Sequence, residues 1–424
     1  MSAVETRTFD LTDASGLKQA VQHAVNDTPI TDIHTHLFAP PFGELLLSGI
    51  DELLTYHYLV AEFFRVSDMP YDDFWALEKR AQADAIWQAL FIERSPISEA
   101  CRGVLTTLKR LGLDPATRDL DGYRAWFDAQ SHATLVDKTF DVANIESVVM
   151  TNDPLDPTEH AVWEGGYAGD PRFHAALRID PLLNDWRHAY ELLCAQGCEV
   201  DVRLMPDTLE MVRGWLRKWV ARMDAKYMAV SLPPSFHYPE DSERATILGE
   251  CVLPVAQECN IPFAMMIGVT RQVNPQLRLA GDSLGASGVG AVESLCAGHP
   301  HNKFMVTMLA REDQHALAVT ARKFNNLLPF GCWWFLNNPS LIDEITRMRV
   351  ELLGTSFIPQ HSDARVLEQV IYKWAHSREL IAKVLHQKYA DLLAAGWRFT
   401  EAEIQRDAAH MLGGNFWDFL ARRP

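Results

Sequence analysis

Eight short apolar runs punctuate this chain, at residues 30–33, 147–150, 175–179, 228–232, 263–267, 304–308, 327–331 and 357–360. Most are separated by stretches long enough for a helix, and strands that alternate with helices form a parallel sheet covered by those helices. Eight repeats favour an α/β fold of the closed (β/α)8 TIM-like barrel type over an open sheet. One connection breaks the rhythm, because residues 44–141 lie between the first run and the second. A structureless loop of that size is unfavourable in a compact domain. Segments such as Asp72-Asp73-Phe74-Trp75-Ala76-Leu77 and Ser98-Glu99-Ala100-Cys101-Arg102 read as amphipathic helix. The expected organisation is an N-terminal segment with the first strand (1–43), an α-helical insertion capping the barrel mouth (44–141), and the rest of the barrel with C-terminal helices (142–424).

Hydrophobic residues at 48% and charged residues at 22% are ordinary for a large globular enzyme. The formal net charge of −17 argues against nucleic acid or an anionic membrane as partner, since either needs a basic surface to displace counterions. A small anionic substrate stays open, because a few arginines suffice to make a positive pocket. The seven cysteines are odd in number and scattered, and Cys194 and Cys198 read as small core residues on one helix face rather than a disulfide or zinc site. No N-terminal stretch has the signal-peptide pattern and no apolar run approaches about 18 residues, so the cytoplasm is the expected location. Large barrel enzymes commonly assemble through their outer helices, so a homo-oligomer is expected.

The first run ends in Thr31-Asp32-Ile33-His34-Thr35-His36. In a strand, residues i and i+2 point to one side, so both imidazoles reach a single divalent ion from the strand's C-terminal end, where barrel enzymes place their chemistry. Among 16 histidines such a pair also arises as hydrogen-bonded surface residues. The buried run before it and the Leu37-Phe38-Ala39-Pro40-Pro41 loop after it favour the metal. A second constellation, His361-Ser362-Asp363-Ala364-Arg365, follows the last run directly. Ser362 or Asp363 there has a bland reading as the N-cap of the helix running through Leu367, Val370, Ile371 and Trp374. Beside His34 and His36, Asp363 reads instead as the carboxylate of a His-His-Asp site with open positions for substrate.

With these segments in view the chain resembles the uronate isomerases, a branch of the amidohydrolase superfamily that interconverts hexuronates and ketohexuronates. The likeness is carried, in order, by Asp32-Ile33-His34-Thr35-His36, His57-Tyr58, Thr151-Asn152-Asp153-Pro154, Leu177-Arg178-Ile179-Asp180-Pro181, Gly331-Cys332-Trp333-Trp334-Phe335 and Ser362-Asp363-Ala364-Arg365. The resemblance implies that His34, His36 and Asp363 hold one divalent metal ion. Two imidazoles and a carboxylate suit Zn2+, and Mn2+, Fe2+ or Co2+ would fit too. It implies that His57 and Tyr58 lie over the active site, that Arg178 and Arg365 stand near the substrate, and that Trp333 and Trp334 belong to the family's signature after strand seven. Aldose–ketose isomerisation moves a proton between adjacent carbons through an enediol. Asp363, His57 and Tyr58 are the candidate proton carriers. Arg178, Arg271 or Arg365 is expected to bind the sugar-acid carboxylate, although an arginine such as Arg271 is more commonly a solvated surface charge.

Two departures qualify this. Met265-Met266-Ile267-Gly268 stands where the family typically has Leu-His-Ile-Gly at strand five, and Ser231-Leu232-Pro233-Pro234-Ser235 stands where strand four usually ends in Asp-His-Gly. A thioether cannot bond a hydroxyl as an imidazole does, so a less polar pocket is one expectation, with His237 a possible substitute from the loop. Three readings remain: a metal-dependent isomerase of D-glucuronate, D-galacturonate or a related sugar acid; a hydrolase or lyase on the same scaffold acting on a less polar carboxylate, ester, lactone or amide; and, last, a ligand-binding descendant without turnover. Fold alone does not separate them.

Overall fold

The computed structural model describes residues 9–167 and 169–423. Seven strands, β1 (Ile30–Thr35), β2 (Ile145–Asn152), β3 (Phe173–Arg178), β4 (Met228–Leu232), β5 (Phe263–Ile267), β6 (Phe304–Met308) and β7 (Leu327–Pro329), pair in chain order, every pair parallel. Every residue of β1, β5 and β6 is buried, as expected of parallel strands covered on both faces. β4, β5 and β6 coincide with their sequence-read bounds. A two-stranded antiparallel ribbon after β5, Val269–Thr270 with Ser283–Leu284, was not anticipated.

The eighth run is not a regular strand. Ile358 forms a single parallel bridge with Phe330, with Gly331 N–H donating to Ile358 O at 2.8 Å and Ile358 N–H to Pro329 O at 3.2 Å. Pro359 then has no N–H to continue the ladder. Further on, Asp363 N–H donates to His34 O at 3.2 Å and His36 N–H to Ala364 O at 2.8 Å. The 357–364 segment is therefore hydrogen-bonded on one side to the residues around β7 and on the other to β1.

Inside the curled sheet lies an apolar cluster with contributions from each strand, among them Ile33, Val149, Ala176, Ala229, Met266, Met305 and Leu328, together with Ile358. Phe416 and Phe419 of the helix Asn415–Ala421 join it from below. Trp417 Nε1 donates to Thr31 Oγ1 at 3.0 Å, and Lys303 Nζ donates to the carbonyls of Leu420 and Arg422 at 2.6 and 3.1 Å. Thr31 and Lys303 sit at strand beginnings, so the C-terminal helix stops that end and leaves the C-terminal strand ends for chemistry.

Between β1 and β2 the chain is helical, including His57–Phe63, Tyr71–Ala76, Glu99–Arg110 and His132–Ala143. This segment is tied to the strand ends where Leu47 bridges Val366 and Gly49 N–H donates to Glu368 Oε2 at 3.1 Å. The long helix Gln369–Ala394 packs against Ala14–Asp27, Glu99–Arg110, His132–Ala143 and Pro339–Leu353. Neighbours on several sides explain why so many of its residues are buried, beyond a single amphipathic stripe. Among the described residues no helix is long and apolar enough to cross a membrane.

Candidate active site

His34, His36 and Asp363 converge at the C-terminal end of β1. One ligand atom from each lies within 4.8 Å of the others. Asp363 Oδ1 is 3.3 Å from His36 Nε2 and 3.7 Å from His34 Nε2. His34 Nε2 and Asp363 Oδ1 are buried without a hydrogen-bond partner, an expensive arrangement for two polar atoms unless something bonds to them. Burial, reinforced by neighbouring charges, drives the His34 imidazole well below its ordinary pKa, and burial also lowers that of His36. Burial works against the charge of Asp363, yet His36, His34 and Lys373 together hold its carboxyl below the usual range. Two neutral imidazoles and one carboxylate, aimed together and unsatisfied, fit a divalent cation.

Asp363 has φ +51°, and its loop is held in that shape from beneath. The Asp32 carboxylate accepts from Ser362 N–H at 3.0 Å and from Trp374 Nε1 at 2.8 Å, while Lys373 Nζ donates to Ser362 O at 2.6 Å. Ser362 and Asp363 do not cap the following helix, which begins only at Gln369 after Glu368. The capping alternative therefore does not hold.

A cavity above this cluster is lined by His36, Tyr56, His57, Arg178, Ser231, Arg271, Leu279, Asp282, Trp333, Trp334, Asp363 and Arg365. Tyr56 and His57 come from the start of the helix His57–Phe63, and the His57 ring meets Trp334 edge-on at 5.3 Å. Tyr58 stands behind His57, half-buried, its hydroxyl buried and unpartnered, with Lys373 Nζ 5.5 Å over its ring. Burial drops His57 to about 3 and lifts the Tyr58 phenol well above its ordinary value, so both are neutral at pH 7.

The three arginines are not equivalent. Arg178 makes a two-point pair with Asp180 at 2.8 and 3.1 Å, and Arg271 is held by buried Asp282 at 2.6 Å. Among the described residues Arg365 pairs with no carboxylate, so its donors are free for a ligand. Sequence reading does not name Tyr56, Leu279 or Asp282, and it names Ser231 only as the start of the strand-four departure. Tyr56 was signalled by its place in a Tyr-His-Tyr triplet; Asp282 meets Arg271 only because the Val269–Leu284 ribbon folds back.

The two departures acquire different meanings. Met266 packs in the interior cluster, 2% exposed, and does not line the cavity. Ser231 does line it. His237 is exposed and bonded to Ser235 O in its own loop, outside the lining residues. The walls are mainly charged and polar, so Met266 does not itself make the cavity less polar, and His237 does not substitute there.

No protein-family profile and no curated protein matches the chain. Solved structures do. A uronate isomerase from Bacillus halodurans C-125 is 56% identical, with 97% of each chain covered and a TM-score of 0.95. The chain belongs to the uronate isomerase family. A uronate isomerase from Thermotoga maritima (15% identity, 95% of this chain and 97% of that one, TM-score 0.76) and a glucuronate isomerase from Caulobacter crescentus (17%, 100% and 98%, TM-score 0.67) share the fold.

In this family member Arg178 also feels the charges of half-buried Asp153 and buried Glu159. Glu159 accepts from Asn152 Nδ2 at 2.9 Å and Asp153 N–H at 3.0 Å, and burial pushes its carboxyl up to about 8 from an ordinary 4.5. A carboxyl raised on folding contributes stability that is present below its unfolded value and lost as pH rises through its folded one. Stability is thus expected to fall between pH 4.5 and 8. Glu159→Gln should flatten that fall, leaving the variant more stable than the parent at pH 8.5 by on the order of 2–4 kcal/mol. Thermal melts from pH 5 to 9 check it; parallel curves would refute it.

Proposed function

We propose that this chain is a metal-dependent aldose–ketose isomerase of a hexuronate such as D-glucuronate or D-galacturonate. The observation that carries the reading is the joint presence of 56% identity to a uronate isomerase along nearly the whole chain and a converged His34, His36, Asp363 set under an arginine-bearing cavity. We read the 357–364 segment as the eighth stave of a closed (β/α)8 barrel, supported by its bonds to both flanking strands. Residues 44–141 are then the insertion, with 1–43 and 142–424 the barrel itself. Seven unpaired cysteines suit a reducing cytoplasm, and assembly into a homo-oligomer belongs to the same reading.

His34, His36 and Asp363 would hold the ion, with zinc our first choice. When bound there, a divalent cation supplies a positive charge that orients and polarises a substrate oxygen. The remaining work falls to the chain. The reaction takes a proton from C2 and delivers one to C1, while the hydroxyl proton passes from O2 to O1. Asp363 is ionised and stands at the cavity floor, suited to take the carbon-bound proton. Neutral His57 lines the cavity and is placed to relay the proton between oxygens, and the Tyr58 phenol, which packs behind it outside the lining residues, would act only through His57. Arg365 has the free guanidinium for substrate oxygens; Arg178 and Arg271, already carboxylate-paired, are positioned to shape the field and the walls. Trp333 and Trp334 give the sugar an apolar face.

The test is a proton NMR time course in deuterated water, with zinc- or manganese-loaded protein and each hexuronate. Conversion to the ketose is expected, with deuterium entering C1 of the ketose and, on reversal, C2 of the aldose. Stoichiometric metal with no conversion of either sugar acid would overturn the reading and return hydrolysis or lyase chemistry to the front.

A further inference from the structure

A neutral imidazole binds a metal through whichever nitrogen lacks the proton, so the tautomer of His34 and of His36 decides whether their converging Nε2 atoms are donors or ligands. The other ring nitrogens carry the answer. His34 Nδ1 lies 3.0 Å from the Tyr227 hydroxyl, and His36 Nδ1 lies 2.9 Å from the Thr151 hydroxyl. Each hydroxyl has one proton to give. Tyr227 gives its proton to Ile33 O at 2.7 Å, and Thr151 gives its proton to Thr35 O at 3.0 Å. In both cases the carbonyl belongs to the residue just before the histidine.

With its proton spent, a hydroxyl oxygen can only accept. The facing Nδ1 must then carry hydrogen, and Nε2 is left with a lone pair. Tyr227 is 0% and Thr151 4% exposed, so solvent does not compete for these bonds. They come from different strands, Thr151 from β2 and Tyr227 from the residue before β4, yet repeat one arrangement.

We infer that Tyr227 and Thr151 are positioning residues that fix His34 and His36 in the Nδ1–H tautomer, presenting both Nε2 lone pairs to the ion beside Asp363. The inference rests on the metal site proposed above. Partners of this kind commonly change metal affinity by about 10–100-fold when removed. They act through the rings and need touch neither ion nor substrate.

Two measurements separate this inference from the reading beneath it. The first uses the metal-free full chain labelled with 15N-histidine. Long-range proton–nitrogen correlation spectra should report Nδ1–H for both residues in the parent, and loss of that fixed pattern at His34 in Tyr227→Phe and at His36 in Thr151→Val. Nε2–H in the parent would overturn the inference whatever the metal does. The second is competition of zinc against a chromophoric chelator. Tyr227→Phe and Thr151→Val should bind zinc about 10–100-fold more weakly, while Thr151→Ser, which keeps the hydroxyl, should match the parent. Equal loss in Thr151→Ser and Thr151→Val would mean that the side chain only packs, and would overturn the role. A parent with the Nδ1–H pattern but no zinc affinity would instead sink the metal site and leave the tautomer lock standing.

Discussion

Replacing Asp363 with asparagine is expected to cost the chain both its bound divalent ion and its turnover, with kcat/KM falling by about 10³-fold or more. The two shapes are nearly the same, so the change isolates charge. Asp363 contributes the only negative charge among the three converging groups, since His34 and His36 are neutral there. It also faces positive charge, with Lys373 bonded to the neighbouring Ser362 carbonyl and Arg178 and Arg365 lining the same cavity. An amide removes the base proposed for the carbon-bound proton and leaves those cations without their counter-charge at the floor. Metal content after exhaustive dialysis, measured beside the NMR assay, checks the two losses separately. Retention of both full metal and full rate would remove Asp363 from the chemistry.

That residue shows what the sequence could and could not display. The apolar runs of β4, β5 and β6 had readable ends because a parallel strand buried on both faces is a continuous hydrophobic segment closed by polar or helix-forming residues. The His34–His36 spacing was readable for a related reason: side chains two apart in a strand share a side. Asp363 carried no such periodic signal. It lies in a turn with positive φ, after Pro359 has already ended the ladder, and an Asx residue in that setting looks like a helix cap. Its place directly after the last apolar run, read together with the His34–His36 pair, set it beside the histidines, and the family resemblance pointed the same way. Asp32, Tyr227 and Thr151 were less visible still, because each acts across a sequence separation of more than a hundred residues on a partner that propensity and spacing do not name. Met266 illustrates the opposite error. Its position in β5 was right, but adjacent strand residues face opposite ways, and its interior packing became visible only in three dimensions.

Gly331→Ala is expected to be the most damaging single-methyl change at this site. Gly331 has φ +70°, where an L side chain costs about 1–2 kcal/mol. A Cβ built there would lie 1.8 Å from His361 Nδ1 and 2.4 Å from its Cε1. His361 is 0% exposed and sits against the rings of His34 and Phe330 at 5.4 and 5.2 Å, so it has no free direction to retreat. The backbone is equally pinned: Gly331 N–H donates to Ile358 O at 2.8 Å, and its carbonyl accepts from Arg349 Nη1 at 2.8 Å. Overpacking of a fixed core adds about 1–3 kcal/mol to the backbone cost, giving a combined loss of about 2–5 kcal/mol. Gly112→Ala is the matched control, since Gly112 also has positive φ, at +85°, but no atom within 4 Å of the added methyl. Its loss should be limited to the backbone share, so the difference in unfolding free energy between the two variants measures the clash. Because His361 is two residues from Asp363 and in ring contact with His34, the Gly331 variant should also bind zinc more weakly, whereas Gly112→Ala should not. Equal destabilisation of the two variants, with zinc affinity untouched in both, would mean that the His361 ring yields freely and that the packing beneath the metal ligands is looser than these distances require.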